Sequence, residues 1–182
     1  MANDCTFHAR ITGTPEMIKK LNDALELEGG LLNYNNWNIL FEQPVDEDFN
    51  WGTKWMQYEL PDYCDGDDIL LTSGYSAWAP AEGFWEKLST EYDLDVYLEY
   101  DERGNDFGGI LHWKSGQLIL DNEMSWWEYF YEMQNDTFWE EINFEIEQNS
   151  LEEIWEMLDN VDLNEEDKLK IEKLYKEYHD AN

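Results

Sequence analysis

The sequence predicts an α+β protein: an antiparallel sheet covered by helices on one face, followed by an acidic, all-helical extension. Three observations predict it. Residues 1–120 alternate short strand-like runs with two helical patterns, and all 11 Gly and all 4 Pro of the chain fall within them. The remainder has neither Gly nor Pro, and its apolar residues recur at helical spacing. Hydrophobic residues make up 42% of the 182 and aromatics 16%, with 10 Trp, so the chain has the material for a core despite a formal charge of −32.

Residues 5–12 (CTFHARIT) mix apolar and polar positions as a strand does, and Gly13-Thr14 break it. Thr14 is placed to cap a helix, with Pro15 at its first position and Glu16 in its first turn. Met17, Leu21, Leu25 and Leu27 give that helix an apolar stripe, and Gly29-Gly30 stop it. Residues 31–50 are Asn-rich and read as irregular, with one short apolar piece from Trp37 to Phe41. Asn50-Trp51-Gly52-Thr53-Lys54-Trp55 leads into a strand ending at Leu60, with Trp51 and Trp55 expected in the core and Gly52 at a bulge or turn. The charged turn Pro61 to Asp68 and a strand from Ile69 to Gly74 complete a hairpin. A second helix opens at Ala79-Pro80 and carries Phe84, Trp85, Leu88 and Tyr92. Leu94, Val96, Leu98 and Tyr100 then share one face of an alternating strand. Phe107–Trp113 and Gln117–Leu120 form a last hairpin around Ser115-Gly116. The order β-α-β-β-α-β is that of a split βαβ, or ferredoxin-like, domain. We place it at residues 1–121.

Residues 122–182 read as helices over roughly 124–134, 136–148, 151–159 and 165–179, the last capped by Asn164 or Asp162. Trp126-Trp127 and Tyr129-Phe130-Tyr131 are too dense for one apolar stripe, so some of these rings are expected to be exposed or covered by a partner. Residues 121–182 hold 20 acids and 4 bases, half the net charge on a third of the length.

Three stretches resemble the Api92-like, or YubB-type, ferredoxin-like proteins of phages and plasmids. They are Met1 to Cys5 with Ile11-Thr12-Gly13; Asn50 to Trp55; and Ser76 to Pro80 continuing through Phe84 and Leu88-Ser89 to Tyr100 and Asp106 to Gly109. Asp4 departs from the family, which has Trp there, and the acidic extension lies outside the resemblance. The resemblance implies the ferredoxin-like fold and a setting in mobile elements that contend with host defence. It implies no particular chemistry.

Charge decides the function class. With 43 acids against 11 bases, the chain is unsuited to neutralising phosphates, so no direct nucleic-acid binding is expected. Anionic membranes are equally unsuited, and no apolar run reaches spanning length. A charge of −32 exceeds the roughly 2–8 units that solubility asks of a small domain. The nine Lys to two Arg and the 15 Asn argue against salt adaptation as its cause. The opening residues lack a basic and then apolar leader, so a cytoplasmic location is expected, with Cys5 and Cys64 reduced.

No enzyme is expected. The three His are scattered, the two Cys unpaired in spacing, and no nucleophile elbow or phosphate loop occurs. No cofactor or metal is expected. Asp65-Gly66-Asp67-Asp68 and Asp159-Asn160-Val161-Asp162 fit no calcium loop and read as a turn and a helix cap. The expected site is a partner-binding surface made by Asp62, Asp65, Asp67, Asp68, Glu140, Glu141, Glu145, Glu147, Glu152, Glu153, Glu156 and Asp159. A net of −32 matches roughly 16 base pairs of duplex DNA. These features point to a phage or mobile-element inhibitor of a host nucleic-acid-targeting defence. The specific expectation is an anti-CRISPR protein that mimics nucleic acid on a type II CRISPR effector nuclease, with or without guide RNA. The rivals are an antirestriction protein against a restriction or recombination enzyme, a scaffold without inhibitory role, and a divalent-cation-dependent carboxylate enzyme working through Asp65 or Asp67.

Overall fold

The computed structural model describes residues 3–28, 30–33, 41, 49–61, 63–64 and 66–181. The chain divides into two compact units, Met1–Glu123 and Met124–Asn182. Each has a hydrophobic cluster of its own.

The first unit runs β1 (Asp4–Thr12), α1 (Pro15–Glu28), β2 (Leu31–Asn33), β3 (Trp55–Tyr58), β4 (Ile69–Ala77), α2 (Glu82–Glu91), β5 (Asp95–Glu102), β6 (Phe107–Lys114) and β7 (Gln117–Met124). The strands form one antiparallel sheet in the order β2-β3-β4-β1-β5-β6-β7. The sheet is antiparallel as expected but larger than the four strands of a simple split βαβ motif. β2 falls where the Asn-rich sequence reads as irregular; the piece from Trp37 to Leu40 lies outside the described residues.

Period-2 patterning sets the two faces. On β1, Cys5, Phe7, Ala9 and Ile11 are buried while Asp4, Thr6, His8 and Arg10 are exposed. Val96, Leu98 and Tyr100 of β5 join the buried set, as does Leu94 just before that strand. Ile18, Leu21 and Leu25 of α1 and Phe84, Trp85 and Leu88 of α2 belong to the same cluster, so both helices cover one face. Phe7 meets Trp85 edge-on at 5.4 Å, and Trp85 meets Phe84 at 4.9 Å. Burial raises the Cys5 thiol well above its ordinary value, with Asp101 and Glu102 adding to it. On the opposite face, His8, Arg10, Leu71 and Tyr75 are exposed among the described residues.

Local chemistry explains the joints. Thr14 caps α1, its Oγ1 accepting the Met17 N–H at 3.3 Å. Trp51 packs against the core and stacks on Phe41 at 5.6 Å, and the Gly52 N–H donates to Asn50 Oδ1 at 3.0 Å in a tight turn with φ +83°. Trp55 departs from expectation. It is half-buried on the open face, edge-on to Tyr75 at 6.1 Å, because strand alternation gives the core to its neighbours Met56 and Tyr58. The β6–β7 turn has positive φ at both Ser115 (49°) and Gly116 (79°), the two-residue geometry that matches strand twist. Both faces of β7 are exposed, Leu118, Ile119 and Leu120 included.

Gly74 locks β3 to β4. A Cβ there would lie 2.0 Å from the Gln57 carbonyl oxygen. Gly74→Ala must push the two backbones apart, and it should lower stability by about 1–3 kcal/mol in urea unfolding.

The second unit is α3 (Trp126–Met133), α4 (Asn135–Gln148), α5 (Leu151–Met157) and α6 (Glu165–Ala181). α4 packs against the other three. Ser125 caps α3 through the Glu128 N–H, and Asn164 rather than Asp162 caps α6, taking the Asp167 N–H at 2.9 Å. The dense aromatics are absorbed internally: Trp126, Trp127, Tyr129 and Phe130 are all buried. This corrects the expectation of exposed rings among them; Phe144 on α4 is 51% exposed. Among the described residues no helix is long and apolar enough to cross a membrane.

Candidate partner-binding surface

The acidic residues singled out from the sequence fall into three structural situations. The first is the turn before β4. Asp62 and Asp65 lie outside the described residues. Asp67 and Asp68 are exposed, but Asp67 closes the turn: its Oδ2 accepts the Cys64 N–H at 3.0 Å, and its own N–H donates to the Cys64 carbonyl at 3.0 Å. The Asp68 carbonyl accepts the Gly13 N–H at 3.0 Å. These contacts fit a structural turn.

The second is α4. Glu140 and Glu147 are exposed and Glu141 is half-buried. Glu145 is buried at 7% exposure, and its carboxylate accepts a hydrogen bond from Asn149 Nδ2. It lies on the packed side of the helix beside Ile142 and Ile146, so it is removed from any outward acidic array. The expectation of a surface group rested on its charge, whereas Phe138, Ile142 and Ile146 set the packed side of α4 and Glu145 shares it.

The third is α5 and the turn after it. Glu152, Glu153, Glu156 and Asp159 are all exposed. Glu153 has a local duty. Ser150 caps α5 by accepting the Glu153 N–H, while the Glu153 carboxylate accepts the Ser150 N–H at 2.8 Å and its hydroxyl at 2.7 Å. These bonds, the backbone one first, hold the Glu153 carboxyl below its ordinary value of 4.5. A carboxyl lowered in the folded state stabilises above its unfolded value and loses that contribution as pH falls through the folded one. Hydrogen-exchange protection of α5 should therefore be full above about pH 4.5 and decline below it. Ser150→Ala should remove that pH dependence and weaken the helix start by about 1 kcal/mol.

The remaining three acids do converge. Glu152, Glu156 and Asp159, with Leu151 and Trp155, line an open hollow of about 710 Å³. Successive turns of α5 place Leu151 and Trp155 as its half-buried floor and the carboxylates around them. Carboxylates beside a tryptophan face suit a Lys or Arg side chain, whose charge pairs with the acids while its stem and π-contact use the ring.

Among the described residues Glu152, Glu156 and Asp159 make no ion pair. From Ser115 to Asp167 the chain runs 53 residues with 17 acids and no Lys, Arg or His. Three of the four lysines of α6 are engaged locally: Lys168 with Glu165 at 3.0 Å, Lys173 with Glu177 at 3.6 Å, and Lys170 over the Trp139 ring at 3.4 Å. Asp167 is held by the Tyr131 hydroxyl at 2.8 Å and Asn164 Nδ2 at 2.7 Å.

Two features escaped sequence reasoning. On the first unit Glu82 of α2 is crowded by Asp121 and Glu123 of β7 and by Glu86. Burial first, and these charges second, raise its carboxyl above the ordinary range. Asp121 and Glu123 are some forty residues away in sequence, so only the sheet order could reveal them. The second is a hollow of about 730 Å³ on the open sheet face, lined by residues of four strands. The exposed His8 and Arg10 alternating on β1 were its visible trace.

Among the described residues no group of three or more His, Cys, Asp or Glu is gathered to hold a metal ion. Val161, within the second acidic stretch once weighed for calcium, is buried in the helical core. No family model, curated protein or solved structure matches this chain.

Proposed function

We propose that this protein inhibits a host nucleic-acid-targeting defence by presenting an acidic, nucleic-acid-like surface to a basic protein, and that its target is a type II CRISPR effector nuclease. The observation that carries the reading is the α5 surface, where Glu152, Glu156 and Asp159 stand around Trp155 without a cation among them. Helix geometry spaces Glu152 and Glu156 roughly 6 Å apart along the axis, within a factor of two of the ~3.4 Å per phosphate of a DNA strand, and Asp159 follows in the turn after α5. Glu140 and Glu147 on α4 add exposed charge to the same unit. A guide- or target-binding channel is strongly basic and would be attracted at long range.

The fold we infer with this function is a ferredoxin-like one. Strands β3-β4-β1-β5, with α1 after β1 and α2 after β4, have the order of a ferredoxin-like split βαβ core, to which β2 and the β6–β7 hairpin add edges. That order, with the stretches that resemble Api92-like phage and plasmid proteins, supports a mobile-element origin.

The test is affinity capture on immobilised full-length protein from cells expressing a CRISPR effector, with and without guide RNA, at low salt. The reading requires the effector to be retained and released by raised salt. Absence of association at low salt overturns it. The same capture from cells carrying a restriction enzyme separates the antirestriction alternative.

A further inference from the structure

We propose that the open face of the first unit's sheet is a binding site for a small organic anion, a carboxylate or phosphomonoester on a flat body, held by Arg10 and read by His112. This goes beyond the partner-binding reading and uses none of its residues.

Register builds the site. Arg10 of β1 stands opposite Leu71 of β4 on one side and Tyr97 of β5 on the other, and Tyr97 stands opposite His112 of β6. Leu71, Arg10, Tyr97 and His112 thus form one row across four strands, with neighbouring Cβ atoms roughly 5 Å apart. All four line the 730 Å³ hollow, a volume in the range of small-molecule sites. Leu71 is 54% exposed and gives the row an uncovered apolar end. Tyr97 supplies a flat ring beside the guanidinium.

Charge assigns the ligand's sign. Asp95 is already occupied: its Oδ1 lies 2.5 Å from His112 Nε2, and its Oδ2 lies 3.9 Å from Lys114 Nζ. Glu59 accepts the Ser73 hydroxyl at 2.9 Å. Arg10 makes no ion pair or hydrogen bond among the described residues. Glu99 lines the hollow too, opposite His8 in the register, so among the described residues the Arg10 fork stands in the hollow with no carboxylate hydrogen-bonded to it. A planar anionic group is what the fork fits in bidentate fashion. The remaining surface repels anions, but at 0.15 M salt that repulsion is damped beyond about 8 Å, so the local groups decide.

His112 adds a second requirement. In the neutral ring, a carboxylate at Nε2 places the proton there and Nδ1 is then an acceptor. The ring is braced edge-on by Tyr97 at 5.6 Å. A ligand that fits therefore joins an acid group to a flat body and a hydroxyl or amino donor.

The test is an amide-resolved NMR titration of the full chain at pH 7.5 and 150 mM NaCl, with 4-hydroxybenzoate, AMP and the uncharged methyl 4-hydroxybenzoate as probes. One or both anions should give saturable shifts at His8 to Thr12, Leu71 to Ser73 and Asp95 to Glu99, and the ester none. Which anion binds distinguishes carboxylate from phosphate. Arg10→Gln should weaken binding at least tenfold, and Arg10→Lys should retain part of it; the Arg10 side chain is solvent-facing, so the fold survives both substitutions. Asp95→Asn should weaken binding severalfold without moving the thermal midpoint. No saturable shift with either anion, equal binding of the ester, or unchanged affinity in Arg10→Gln overturns the proposal.

Discussion

The triple substitution E152K/E156K/D159K is expected to weaken binding to the basic target by about 10²-fold or more, and most of the loss should appear in the association rate. All three side chains are exposed and none closes a cap, so the helical unit should fold unchanged. Lys is as good a helix former as Glu. The substitution moves the local charge by six units on a surface with no cation from Ser115 to Asp167. Electrostatic steering accounts for roughly 10- to 10³-fold in on-rates, and like-charge contacts add a direct penalty. The neutral set E152Q/E156Q/D159N should give a smaller loss and a flatter dependence on salt. E153Q, by contrast, should act on the start of α5 and leave target affinity almost unchanged, because that carboxylate is turned to Ser150. Stopped-flow or surface-plasmon kinetics at two ionic strengths separates these outcomes.

Phe138→Ala is expected to unfold the second unit while the first stays intact. Phe138 is fully buried and meets Trp127 at 6.2 Å, Tyr131 at 5.1 Å and Trp139 at 5.1 Å, each edge-on or nearly so. Removing the ring deletes the hub of that aromatic set. Phe→Ala in a core costs about 3–5 kcal/mol. A unit of this size draws no more than about 3–5 kcal/mol from its core, so the loss consumes its stability. The first unit has a separate cluster built on Phe7, Leu98 and Trp85. Hydrogen exchange should show α3 to α6 losing protection with β1 and β5 unchanged. A variant that unfolds as one transition, or not at all, contradicts the view of two cores.

The elements with strong periodicity were legible in the sequence. CTFHARIT alternates because one face of β1 packs on helices, and Leu94, Val96, Leu98 and Tyr100 are buried to within 2% exposure, as their spacing implies. Thr14-Pro15 and Asn164 mark helix starts because their side chains or ring satisfy or remove the amides a helix leaves unpaired. What could not be read was everything fixed by long-range pairing. β2 is three residues long and has no pattern of its own; it exists because Leu32 opposes Met56. Trp55 was assigned to the core on size, whereas its strand parity puts it on the open face.

The candidate site divides along the same line. Glu152, Glu156 and Asp159 could be read together because they fall within one short stretch, α5 and the turn after it. Glu145 could not be separated from them, since burial of one helix side depends on the packing of α4 against its neighbours. The row of Leu71, Arg10, Tyr97 and His112 draws one residue from each of four strands, so no window of sequence contains it.

The most direct test of the central claim is a competition titration of the full-length protein against a purified type II effector, with and without bound guide RNA, at 50 and 200 mM salt. An acidic surface that takes the place of nucleic acid must lose affinity steeply between those salt concentrations and must be displaced by duplex or guide competing for the same basic channel. Affinity that is indifferent to salt, or a ternary complex in which nucleic acid and this protein bind together without mutual weakening, would contradict it.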